Sequence, residues 1–327
     1  MFKKAIVPTH PPQHAKTRCS TGKAAANEEA RRTPRYVETL SDASKSPPPF
    51  SRLACLDKAG NAVLPPISML FMGESVTEHP LRESPASTIS TWSGSAREQA
   101  VQRMFTSIAG VYDLNNTLLS FGLHYRWKKM TAADVPCVKD GTALDVGAGT
   151  ADLALFVESR MGAHGRVIAS DLNHAMLAEG LKKIGEKGLS GKITCLQANA
   201  EHLGFDDNTF DAVTTGFCMR NVGNLAQAIV EIRRVMKPGG TFVCLEFSRP
   251  IFGWLRALYD WYSFKLLPWI GTRVARDTTG VYEYLPASIR TFPDQERLCQ
   301  ILRDVGFRDV SYRNLTGGIV AIHRAVK

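Results

Sequence analysis

Leu144-Asp145-Val146-Gly147-Ala148-Gly149-Thr150-Ala151-Asp152 reads as a short apolar strand, a turn built on two glycines, and the start of a helix. Gly147 and Gly149 have no side chain, so a ligand can lie directly on the backbone there. The free N–H groups of the helix that follows can then receive an electronegative group. Asp171, 24 residues after Gly147, closes the next apolar run, where an acid can bridge the two hydroxyls of a ribose. A Gly-x-Gly turn alone says little; joined to a strand, a helix and that acid, it points to a nucleoside ligand. Two ligands fit this frame, a dinucleotide and S-adenosylmethionine. A dinucleotide fingerprint calls for a third Gly or Ala where this chain has Asp152, whose charge would oppose a diphosphate. The cationic sulfonium and ammonium groups of S-adenosylmethionine tolerate a nearby carboxylate, so charge favours that cofactor.

Outward from this stretch, short apolar runs recur at residues 143–146, 166–170, 193–196, 212–215 and 241–247. Helical stretches at 153–161, 175–187 and 225–236 lie between them. Such alternation predicts a parallel sheet with helices on both faces. Lys237-Pro238-Gly239-Gly240 is expected to close one helix and turn into the next strand. Upstream, Val101, Met104, Phe105 and Ile108 share a helical face, and a second helix is expected from about Asn116 to Met130. Order is expected over residues 96–327, with residues 1–95 a disordered tail. Prolines cluster in that tail among Ser, Thr, Ala and Lys. Its first 27 residues hold five basic side chains and no acid. That is the bias of a transit peptide, but Pro8, Pro11 and Pro12 interrupt any helix, and Met69 or Met72 could be the true start. The net charge of +9 (40 basic, 31 acidic) favours anionic surfaces. The seven cysteines form no Cys-x-x-Cys pair, which argues against a zinc site or a disulfide framework. No apolar run reaches the ~20 residues of a membrane span.

The chain resembles the ubiquinone/menaquinone biosynthesis C-methyltransferases. The likeness is carried by Asn199-Ala200-Glu201, Phe217-Cys218-Met219-Arg220-Asn221-Val222, Leu245-Glu246-Phe247-Ser248-Arg249-Pro250 and Asn314-Leu315-Thr316-Gly317-Gly318, and upstream by Tyr112-Asp113 and Ser120-Phe121-Gly122 with His124. It runs in order from about Arg97 to Lys327. The resemblance implies a Rossmann-like class I methyltransferase: a mostly parallel seven-stranded sheet, helices on both faces, and N-terminal helices as a lid. It implies S-adenosylmethionine as cofactor, with Thr150, Asp171, Asn199 and Ala200 as contacts beside Gly147 and Gly149. It further implies C-methylation of the ring of a polyprenylated hydroquinone. Two positions depart from the pattern. The family usually has Gly at Ala151 and often Ser at Gly216, so Ala151 is expected to weaken cofactor binding without abolishing it.

Methylating a ring carbon is faster from a phenolate than from a neutral quinol, so the site should favour loss of a phenol proton and exclude water. Arg220 follows the fourth strand, on the edge where open α/β sheets bind ligands. It is expected to stabilise the developing phenolate or orient a water, with Asn221 holding the same group; spacing alone favours a pair with a surface acid, and the family resemblance reverses that preference. His124, with Tyr125 on a helix that could fold over the site as a lid, reads as a satisfied structural histidine or as a candidate base, and Tyr112 and Asp113 read as helix cap or substrate contact. His323 reads as structural. No metal is called for. The aromatic-rich residues 252–269 read either as core or as an insertion lining a greasy channel or lying in the bilayer interface, with Arg249, Arg256 and Lys265 meeting lipid phosphates. The expected partners are a polyprenylated quinol and, peripherally, a membrane surface. A homodimer and a quinone-synthesis complex both stay open. Nucleic acid is not expected, because the place of an Asn/Asp-Pro-Pro-aromatic motif reads Thr215-Gly216-Phe217-Cys218. A non-catalytic scaffold with a decayed cofactor turn is the alternative from another class. The expected location is the cytoplasm at a membrane, or the mitochondrial matrix if the tail is a transit peptide.

Overall fold

In a computed structural model, which describes residues 55–56, 62–63, 94–266, 269 and 280–327, the alternating runs form one seven-stranded sheet. Strands β1 (Thr142–Val146), β2 (Arg166–Asp171), β3 (Ile193–Gln197), β4 (Phe210–Gly216) and β5 (Met236–Phe247) are parallel. Strands β6 (Arg308–Leu315) and β7 (Val320–Val326) form a hairpin, and β7 pairs antiparallel with β5. The order across the sheet is β3-β2-β1-β4-β5-β7-β6. Successive connections from β1 lead outward one way, and β4 lies on its other side. The switch point is therefore the gap between the C-terminal ends of β1 and β4, where open α/β sheets hold ligands.

Side chains alternate across the pleat. Ala143, Val243 and Leu245 join one core cluster, while Leu144, Val146, Phe242 and Cys244 join the cluster on the opposite face. The first face is covered by α3 (Leu123–Asp134), α4 (Asp152–Glu158) and α5 (His174–Glu186), through Trp127, Ala154, Val157 and Ile184. The second is covered by α6 (Leu225–Val235) and a C-terminal helix (Gln295–Asp304), through Ile229, Ile232, Leu298 and Leu302. Each such residue removed from water contributes about 1.5–3 kcal/mol, so the sheet is held from both sides.

Three local expectations change. The helix expected from Asn116 to Met130 is two helices. α2 (Tyr112–Ser120) ends at Phe121 (φ 51°) and Gly122 (φ 73°), both left-handed, and α3 begins at Leu123. The Gly122 amide donates to the Thr117 carbonyl (2.8 Å), a helix-ending bond. Second, β5 begins at Met236, so Lys237-Pro238-Gly239-Gly240 lies within the strand, where a register shift opposite Phe210 and Ala212 absorbs it. Third, of the two readings of the aromatic-rich stretch, core does not hold for its helical part: α7 (Gly253–Trp261) has no buried residue. The first helix, α1, spans Gly94–Ile108.

The chain divides into two units, Met1–Arg82 and Glu83–Lys327. Within the first, Cys55–Leu56 pairs antiparallel with Ala62–Val63. Of the tail expected over residues 1–95, these four residues are extended and Gly94 and Ser95 open α1; the others lie outside the described residues. Among the described residues no helix is long and apolar enough to cross a membrane.

Candidate active site

The β1–α4 turn and the ends of β2 and β4 frame a groove of about 90 Å³. Gly147, Gly149, Asp171, Asn199 and Ala200 all line it. Gly147 is required for a reason beyond ligand access. Its φ is +67°, and a Cβ there would stand 2.0 Å from Cys218 Sγ. Gly147→Ala is therefore expected to destabilise the fold by about 3 kcal/mol, combining left-handed strain with overpacking; thermal unfolding would measure it. Asp171 holds the groove's far side. Its carboxylate accepts the amides of Gly149 and Asn173, both at 2.8 Å. Burial pushes its pKa up, opposed by these backbone donors. Asn199 Oδ1 accepts the Glu201 amide (2.9 Å), which turns the chain after β3 and leaves Asn199 and Ala200 on the groove wall. The groove thus offers bare backbone, a strand-end carboxylate and a side-chain amide, a set that fits a nucleoside with an amino-acid arm.

Thr150 is placed differently from the expectation. It is buried and does not line the groove; its hydroxyl donates to Asp113 Oδ1 (2.7 Å) and accepts from Lys183 Nζ (3.0 Å). Asp152 belongs to the same cluster, paired with Lys128 (2.9 Å) and Lys183 (2.5 Å), and Lys183 also meets Asp113 (2.7 Å). Two carboxylates and two ammonium groups balance, so the charge attributed to Asp152 in choosing the cofactor is neutralised locally. Burial works against the Asp152 carboxylate, but the two lysines hold its pKa below the usual range. Ala151 stands away from the groove. It is fully buried with φ +63°, it does not line the groove, and a Cβ at Gly180 would stand 3.2 Å from its own. Its methyl group therefore faces α5 rather than the ligand space. Gly216 does line the groove, beside Leu153.

A second, larger cavity of about 340 Å³ adjoins, walled by α2, α3, α7 and the ends of β4 and β5. Phe217 and Tyr112 line both spaces. Arg220 lines the cavity and is buried, but its partner is no surface acid. Nη1 meets Glu246 Oε1 (2.9 Å) and donates to the Phe217 carbonyl (2.6 Å), and the guanidinium lies 5.1 Å from the centre of the Phe247 ring. Glu246, from β5, is 1% exposed. Burial pulls the Arg220 pKa down, but Glu246, joined by Tyr112 and Tyr284, raises it overall, so the cation persists. Arg220 Nε has no partner. Asn221 Nδ2 reaches the same Phe217 carbonyl (3.3 Å); its Oδ1 accepts from Tyr284 (3.0 Å), and it lines the groove. His124 lines the cavity, with Nε2 3.4 Å from Thr117 Oγ1 and Nδ1 without a partner. Burial holds its pKa down at about 4, so it is a neutral and weakly basic imidazole at pH 7. His323 is structural: it is buried in β7, with Nε2 2.9 Å from the Gln295 carbonyl.

Asp145, on β1, is 1% exposed, accepts from Thr214 (2.8 Å) and has an unpartnered Oδ2. Burial pushes its pKa up to about 7. The folded state then keeps the proton that the unfolded state loses near pH 4, so this group's contribution to stability falls as pH rises from 4 to 7. Asp145→Asn is expected to gain stability relative to the native chain across that window and to hold a constant difference above it. Denaturant titrations at pH 5 and pH 8 would measure the difference.

The pattern of the ubiE/COQ5 methyltransferase family matches residues 93–327. A ubiquinone/menaquinone biosynthesis C-methyltransferase UbiE from Francisella philomiragia is 46% identical over 231 residues, covering 71% of this chain and 92% of its own. The protein of the same name from Idiomarina loihiensis is 44% identical over 232 residues, with the same coverage. Among solved structures, a methyltransferase complexed with the Haloferax volcanii Trm112 methyltransferase activator superposes with TM-score 0.50 at 16% identity. The overlap covers 68% of this chain and 96% of that one, a likeness of fold alone.

Proposed function

The chain belongs to the ubiE/COQ5 methyltransferase family, an S-adenosylmethionine-dependent C-methyltransferase of quinone biosynthesis, and on that premise we propose that it methylates the ring of a polyprenylated quinol held in the α2–α3–α7 cavity. The observation that carries this reading is a buried cation at the reacting end of a largely apolar cavity: of the two buried cations that line it, Lys128 is paired with Asp152, and Arg220 stands at the cofactor side. Arg220 stands at the end of β4, next to the wall that cavity and groove share through Phe217. Bound in the groove, S-adenosylmethionine supplies an electrophilic methyl group. Every other part of the task falls to the chain's own residues. The apolar walls exclude water and align the ring. Arg220 lowers the pKa of a phenol placed beside it and stabilises the phenolate, which makes the adjacent ring carbon nucleophilic. Glu246 and the Phe217 carbonyl fix the guanidinium. The ring carbon would form the new C–C bond as the methyl–sulfur bond breaks, and its proton then moves to the ring oxygen, which restores an aromatic phenol; the proton lost in forming the phenolate leaves to solvent.

The exposed faces of Phe252, Trp254, Leu258 and Trp261 on α7 support peripheral membrane contact, and Arg249, Arg256 and Lys265 beside them are exposed cations. Co-sedimentation with anionic liposomes at low salt is the expected result, and its failure would remove the membrane part. The reaction itself is tested with labelled S-adenosylmethionine and two reduced acceptors, demethylmenaquinol and the benzoquinol precursor of ubiquinone. Transfer to either supports the proposal. Cofactor binding without transfer to either would show that the acceptor is another molecule, and negligible cofactor binding would favour a scaffold.

A further inference from the structure

We propose that the apolar cavity is entered from the bilayer through a mouth between the α2–α3 corner and α7, and that Phe121 at its rim sets a preference for long-tailed substrates. The inference rests on the quinol reading above. Residues that line the cavity and are also exposed mark its mouth: Phe121 (84%), Leu258 (53%) and Trp261 (57%). A cavity of about 340 Å³ is of the size that encloses a drug-like molecule, so a long polyprenyl tail must leave through that mouth.

Phe121 carries the argument further. It is a bulky residue at φ 51°, followed by Gly122 at φ 73°. Left-handed backbone is unfavourable for an aromatic residue, and such strain persists where something other than stability is served. Here the strain turns a phenyl ring out at the rim. Leu114 and Leu118 on α2 and Tyr125 on α3 extend the same apolar surface. The exposed cations Arg126 and Lys129 flank the corner, Arg256 and Lys265 flank α7, and no acid occurs from Leu114 to Met130. Aromatic and aliphatic groups ringed by cations match an anionic lipid interface. At the mouth itself, the Tyr262 hydroxyl donates to the Leu119 carbonyl (3.0 Å), tying the end of α2 to the turn after α7.

The test compares the full chain with Phe121→Asn and Trp261→Ser. Each is assayed on a long-tailed quinol in vesicles containing anionic lipid and on the same ring without a tail in solution. Asparagine tolerates the left-handed region, so Phe121→Asn is expected to keep or raise the thermal midpoint. Its selectivity for the tailed over the tail-less substrate, as a ratio of kcat/KM, is expected to fall about tenfold or more. Vesicle co-sedimentation should weaken in both variants. An unchanged ratio, or equal losses on both substrates, overturns the proposal. So does a change in oligomeric state with unaltered vesicle binding, which would make this face a contact between copies. Should the native chain methylate no quinol, the functional reading fails, and the vesicle arm alone decides the mouth: weakened partition supports it and unchanged partition overturns it.

Discussion

Arg220→Met is expected to slow methyl transfer by about 10²–10³-fold, the usual effect of removing one preorganised charge-stabilising donor. The affinity for S-adenosylmethionine should change by no more than about threefold, because the Arg220 side chain faces the large cavity and not the cofactor groove. The substitution has a second consequence. Glu246 would be left 1% exposed and without its cation, which costs about 3–5 kcal/mol. A loss of activity through unfolding would then mimic the catalytic effect. Pairing the change with Glu246→Gln separates them: the double variant should recover its thermal midpoint while transfer stays slow. Arg220→Lys should be nearly as slow, since one ammonium group cannot reproduce the guanidinium held jointly by the Phe217 carbonyl and Glu246. A well-folded double variant that methylates at close to the native rate would remove Arg220 from the reaction.

Asp171→Ala should weaken S-adenosylmethionine binding by about 100-fold, equivalent to ~2.7 kcal/mol. The carboxylate does two things at once. It fixes the turn by accepting the Gly149 amide and the α5 entry by accepting the Asn173 amide, and it stands on the groove wall where ribose hydroxyls would be received. Removing it strands two amides and one ligand contact. Asp171→Asn keeps one acceptor oxygen and should lose less, about tenfold. Calorimetric titration distinguishes the two, and a native-like affinity for Asp171→Ala would show that the groove binds its ligand by some other edge.

Residues close in sequence made the cofactor side readable. Gly147, Gly149 and Asp171 sit at strand ends whose positions follow from short apolar runs, and the right-handed crossover of a parallel sheet brings those ends together without further information. Asn199 and Ala200 were reachable through the family likeness, and the structure places them just past the end of β3. The antiparallel β7 was reachable only through the family likeness, since a buried strand has no periodicity that reveals its direction.

The electrostatics were not readable. Asp152 looked like a free charge because its partners, Lys128 and Lys183, lie 24 and 31 residues away on two different helices. Glu246 lies 26 residues from Arg220, on a separate strand. Ion pairs of that separation carry no spacing rule; they exist only once the sheet and its covering helices have been assembled. The same holds for the break at Phe121–Gly122, where a left-handed phenylalanine violates local preference.

The sequence by itself determined the parallel part of the sheet, the glycine turn and the nucleoside character of the ligand, because each depends on backbone geometry and on apolar patterning over a few consecutive residues. Tertiary structure alone decided which charges cancel, which cation faces the acceptor and where the cavity opens, because those depend on distances between segments far apart in the chain.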